Sequence, residues 1–90
     1  MHVAILCEYG TVNGGENSIL AMIERMHDVQ VTVLAPPTGR LADRLDRAGV
    51  ARARFSLEDD AGRRLDRAAA LQRLHEAIDH VRPDLLHANS

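Results

Sequence analysis

Val29-Gln30-Val31-Thr32-Val33-Leu34-Ala35-Pro36-Pro37 is the stretch from which the rest of the chain can be read. Its β-branched run from Val29 to Ala35 predicts a strand, and the two prolines stop it, because proline has no N–H to give to a ladder. Upstream, Glu16 to Met26 sets Ile19, Leu20, Ile23 and Met26 at helical spacing, the pattern of an amphipathic helix. Before that helix, Glu8 to Gly15 holds three of the six glycines and reads as a loop. Val3-Ala4-Ile5-Leu6-Cys7 reads as a short first strand.

Downstream, Thr38 or Gly39 is expected to cap a second helix carrying Leu41, Leu45 and Ala48, with Gly49 in the C′ position. Val50 to Phe55 alternates apolar residues with arginine, as a half-exposed edge strand does. Residues 56–64 read as a polar loop. A third helix from about Leu65 to Val81 puts Ala68, Leu71, Leu74, Ile78 and Val81 on one stripe, and Leu71, Leu74 and Ile78 are expected to be buried on the sheet. Pro83-Asp84 punctuates, and Leu85-Leu86-His87-Ala88 reads as a fourth strand.

Strands and helices that alternate at these lengths imply right-handed crossovers and a parallel sheet covered on both faces. The expectation is an α/β, Rossmann-like, three-layer α/β/α fold of strand order 3-2-1-4. Its topological switch then falls between the first and fourth strands. Such folds continue for another strand or two, so residues 1–90 are expected to be the first half of a domain, cut after its fourth strand. The apolar edge of that strand is expected to invite self-association.

Composition narrows the function. An apolar content of 46% excludes a wholly disordered chain, and no apolar run reaches the ~18–20 residues of a membrane span. The opening apolar run is too short for a secretory signal. One cysteine cannot form an internal disulfide, so a reducing, cytoplasmic setting is the expectation. A net charge of −2 gives no electrostatic reason to expect nucleic acid, and 2% aromatic residues leave no stacking platform for single strands. All eleven Lys/Arg positions are arginine, which excludes a lysine Schiff base or a phosphate-loop lysine in this chain.

Gly14-Gly15 at the start of the first helix lets backbone approach a ligand, and free N–H groups there favour an anion such as phosphate or diphosphate. The plainer reading of the pair is a tight turn. A dinucleotide fingerprint is not met: the glycines fall at 10, 14 and 15, and the second strand ends Leu34-Ala35-Pro36 without an acid. Phe55-Ser56 stands where a phospho-accepting aspartate would end the third strand.

His75-Glu76-Ala77-Ile78-Asp79-His80 has its histidines five positions apart. That turns the rings about 140° from each other on a helix, so the segment reads as a solvated face and no metal is expected. His2 and His27 read as surface residues, Cys7 as a small buried hydrophobe, and the arginine–aspartate alternation through 40–67 as an ion-paired surface. His87 is expected at the C-terminal end of the fourth strand. There His87, Asn89 and Ser90 would face the Gly14-Gly15 loop and hydrogen-bond a hydroxylated ligand; the alternative is a histidine satisfied by backbone carbonyls.

Two segments, in order and roughly 70 residues apart, carry a resemblance. One is the short first strand and the loop ending Gly14-Gly15-Glu16, followed by Asn17-Ser18-Ile19-Leu20. The other is Arg82-Pro83-Asp84-Leu85-Leu86-His87-Ala88-Asn89-Ser90. Together with the Leu34-Ala35-Pro36 exit of the second strand, they resemble the N-terminal domain of family-four retaining glycosyltransferases of the GT-B type.

The resemblance implies transfer of a sugar from a nucleotide-sugar donor to an acceptor with retention. No metal or cofactor is implied. It places Gly14, Gly15 and Glu16 near the donor diphosphate and His87, Asn89 and Ser90 along the cleft. Position 89 corresponds to a histidine that faces the reacting sugar, and here it is asparagine, which hydrogen-bonds but does not titrate. The resemblance also implies a second Rossmann-like domain for the nucleotide, so the 90 residues are expected to be inactive alone. The full enzyme would be cytoplasmic or membrane-associated. A non-enzymatic α/β module that binds a phosphorylated ligand or a partner chain is the alternative.

Overall fold

The computed structural model describes residues 1–7 and 14–89. The elements run β1 (His2–Cys7), α1 (Gly14–Glu24), β2 (Gln30–Ala35), α2 (Arg40–Ala48), β3 (Ala51–Arg54), α3 (Arg67–Val81) and β4 (Leu85–Asn89). The sheet is four-stranded and wholly parallel, in the order β3-β2-β1-β4. The Rossmann-like α/β fold and strand order therefore match the expectation from the alternating pattern.

Pleating divides the core in two. Val3, Ile5 and Cys7 of β1 and Val33 and Ala35 of β2 face Leu20 of α1 and Leu41 and Leu45 of α2. Ala4, Leu6 and Leu34 face the other way, against Phe55 and Ala77 of α3. β2 is buried along its last four residues, as a central parallel strand requires. Cys7 sits in the first cluster as the small hydrophobe that its position in β1 suggests.

Each helix ends for a local reason. Gly49 closes α2 in the left-handed region (φ 70°). Its N–H donates to the Asp46 carbonyl while the Val50 N–H donates to Leu45, and Val50 packs on the adjoining core. That is a Schellman closure, which strongly favours glycine. At the other end of α2 the cap is Gly39, with no side-chain cap bond. Asp66 caps α3, its carboxylate accepting from the Ala69 N–H at 2.8 Å. Arg82 ends α3 at φ 52°, directly before Pro83.

Two expectations need correction. α1 starts at Gly14 rather than Glu16 and stops at Glu24; Arg25 and Met26 continue as tightened turns bonded three residues back. The 56–64 segment is the polar loop expected, shaped by one isolated bridge from Glu58 to Arg64 and by the Asp59 carboxylate, which accepts from the Ala61 and Arg63 N–H groups. On α3, Leu71 is 49% exposed, because the helix meets the sheet through Ala77, Leu74 and Val81. The stripe was wider than the contact, and Leu71 lies on its flank.

His2 is also not a simple surface residue. Its ring nitrogen Nε2 lies 2.7 Å from the hydroxyl of buried Thr32. The His2 N–H donates to the Asp84 carboxylate at 2.8 Å, and the Asp84 N–H donates back to the His2 carbonyl at 2.7 Å. The aspartate of the Pro83-Asp84 pair thus staples the start of β4 to the start of β1 and holds the register for the strand that follows.

Candidate functional site

In a parallel sheet each helix begins at the carboxyl end of the strand before it, so that end gathers helix N-termini and loops. Gly14, Gly15 and Glu16 make the first turn of α1, directly after the segment that leaves β1. Their early N–H groups have no partner within the helix, and the helix dipole adds partial positive charge. β4 lies beside β1 with Ile5 opposite His87 and Cys7 opposite Asn89. The end of β4 is therefore level with the end of β1, at the topological switch.

The predicted site residues fall as follows. Gly14, Gly15 and Asn89 come to the same end of the sheet. His87 is two residues short of the strand end, a correction to its expected place, since β4 continues to Asn89. Its register with Ile5 puts it on the α1/α2 face, where it is exposed and forms no hydrogen bond among the described residues. That face of β4 is open; Leu85, on the same side, is 54% exposed. Ser90 and the loop 8–13 lie outside the described residues.

A concavity elsewhere in the molecule was not anticipated. A groove of about 450 Å³ runs between β3 and α3, at the edge of the sheet remote from β4. It exists because two small residues meet there: Ala53 of β3 and Ala77 of α3 both belong to the second core cluster. Arg73, Glu76 and His80 of α3, with Arg52 and Arg54 of β3 and Ser56 and Glu58 after it, supply its polar lining. The signal was present in the spacing 73, 76, 77, 80, which is one helical face, but it was overshadowed by the leucine stripe. His75 does not line the groove, in keeping with the wide angle between the two rings.

The charged surface around β3 is ion-paired as its arginine–aspartate alternation suggests. Arg52 forks onto Asp46 of α2 (2.8 and 3.1 Å) and donates to the Pro37 carbonyl, while Arg54 reaches Asp60 at 2.7 Å. The hydrogen bond from Arg52 holds the Asp46 carboxyl below its ordinary 3.8, against a desolvation effect of opposite sign. Among the described residues no group of three or more His, Cys, Asp or Glu is arranged to hold a metal, and no helix is long and apolar enough to cross a membrane. No family model, curated protein or solved structure matches the chain.

Proposed function

We propose that residues 1–90 form the acceptor-side part of a retaining, nucleotide-sugar-dependent glycosyltransferase of GT-B type, which acts together with a second, nucleotide-binding domain. One observation supports this reading above the others. The first turn of α1 and the end of β4 converge at the switch between β1 and β4, with Cys7 opposite Asn89. Those are the two segments that carry the family resemblance.

In this reading the N–H groups at Gly14 and Gly15 meet the donor diphosphate, Glu16 follows them on the helix, and Asn89 and Ser90 hydrogen-bond sugar hydroxyls. His87 borders the cleft. The donor enters as substrate, and the chemistry asks for no metal from this chain. The setting is cytoplasmic, with membrane association a property of the whole enzyme.

Calorimetric titration of the chain joined to its nucleotide-binding domain with a panel of nucleoside diphosphate sugars tests the proposal. Binding of at least one donor, with no binding of a nicotinamide dinucleotide, is the expected result. Gly15→Asp adds a carboxylate that suits a helix N-terminus but repels a diphosphate, so it should weaken that donor by at least about fivefold without unfolding the chain. Sugar transfer above background by residues 1–90 alone, or equal binding after Gly15→Asp, overturns the reading. The β3–α3 groove favours a second reading, a module that docks a partner chain.

A further inference from the structure

The β3–α3 groove has no part in the proposed sugar transfer, yet it is a built surface with unused chemistry. β3 is an outer strand. The Phe55 N–H donates to the Ala35 carbonyl at 2.9 Å, toward β2. Main-chain groups alternate in direction along a strand, so the N–H and C=O of Arg52 and Arg54 point outward, to the open edge. Arg52 and Arg54 are among the residues that line the groove, and Asp46 and Asp60 hold their side chains.

The groove beside this edge has an apolar floor of Ala53, Phe55 and Ala77. Arg73, Glu76, His80 and Glu58 line it, and their side chains make no ion pair or hydrogen bond among the described residues. The Ser56 hydroxyl accepts from the Glu58 N–H and keeps its own proton to donate. A volume of about 450 Å³ lies within the ~300–1,000 Å³ of small-ligand sites. An inorganic anion would satisfy Arg73 but leave the apolar floor and the strand edge unused. An extended peptide meets all three demands together: paired main chain, an apolar side chain for the floor, and a carboxylate for Arg73.

We propose that the β3–α3 groove binds an extended peptide segment that adds as a strand beside β3. Its apolar side chain lies on Ala53, Phe55 and Ala77, and an acidic side chain two residues away, on the same face, meets Arg73. Arg52 and Arg54 are already paired with Asp46 and Asp60, so the acidic side chain is specified by Arg73.

The test is a residue-resolved amide NMR titration of the 90-residue chain with acetyl-Thr-Val-Thr-Glu-Thr-amide. Saturable shifts confined to residues 51–56 and 73–80 are expected. N-methylation of alternate peptide amides, which spares every side chain, should abolish them. Arg73→Glu, an exposed replacement, should weaken binding about tenfold, and a peptide with lysine in place of glutamate should restore it. No saturable shift, shifts at Gly14, Gly15 and Asn89 instead, or undiminished binding of the N-methylated peptide overturns the proposal. These outcomes are independent of whether nucleotide sugars bind at the other end of the sheet.

Discussion

Alanine substitutions at Leu45, Leu74 and Leu71 form a graded series that tests how the helices lie on the sheet. Leu45 of α2 is 1% exposed in the first core cluster, Leu74 of α3 is half-buried against the second, and Leu71 is 49% exposed. Full burial of a leucine contributes ~1.5–3 kcal/mol by transfer alone, and the cavity left behind raises the cost of truncation to ~2–5 kcal/mol. Leu45 has core on every side and little freedom to collapse, so Leu45→Ala should cost about 3 kcal/mol. Leu74 borders solvent and should cost about 1–2 kcal/mol, while Leu71, with half its surface already in water, should cost less than about 1 kcal/mol.

A chain of this length has a total stability of about 5–13 kcal/mol, so Leu45→Ala removes a large share of it. At ~4–8 °C per kcal/mol for a domain of this size, the expected fall in Tm is about 12–24 °C. Urea unfolding followed by far-ultraviolet circular dichroism gives the three values under one set of conditions. A Leu71→Ala cost equal to that of Leu45→Ala would mean that α3 buries its flank rather than the Ala77 side. A Leu45→Ala cost below about 1 kcal/mol would refute the packing of α2.

Asp84→Ala deletes the carboxylate that accepts the His2 N–H but keeps the reciprocal main-chain bond; a loss of about 1 kcal/mol is expected, with faster hydrogen exchange in β4. Unchanged exchange would argue against a staple. The Asp46 carboxyl is depressed in the folded state, so its contribution to stability is complete above the ordinary 3.8 and is lost as pH falls through the lower folded value. The stability gap between the native chain and Asp46→Asn, measured by thermal melts, should therefore be present at neutral pH and close in strong acid. A gap that grows on acidification contradicts the Arg52 pairing. The open edge of β4 carries Leu85, Leu86 and Ala88 and no charged residue, so sedimentation should show self-association that rises with concentration and falls in Leu86→Lys. A monomer at high concentration contradicts that expectation.

Sheet order was legible because periodicity and turn chemistry agree along the chain: Val29–Ala35 at period two, Pro36-Pro37 as a stop, Gly49 as a left-handed closure. Handedness rules then left little choice of topology. The burial of α3 was not legible, since spacing shows a stripe but not which part of it the sheet meets; that depends on Ala77 approaching Phe55 closely. The residues at the end of β1 and β4 were partly legible. Their convergence follows from strand order, whereas the level at which β4 stops follows from the Asp84 staple, which pattern alone does not reveal. The β3–α3 groove was missed because it is made by two alanines, residues that carry no chemical signature in a sequence.

The central claim is that the carboxyl end of β1 and β4 receives the diphosphate and sugar of a nucleotide-sugar donor. An amide-resolved NMR titration of the chain joined to its nucleotide-binding domain, with the donor that binds best, reads this directly. The account predicts the largest shifts at Gly14, Gly15 and Asn89, with residues 51–56 and 73–80 undisturbed. Shifts centred on the β3–α3 groove, or none for any nucleotide sugar, would contradict it.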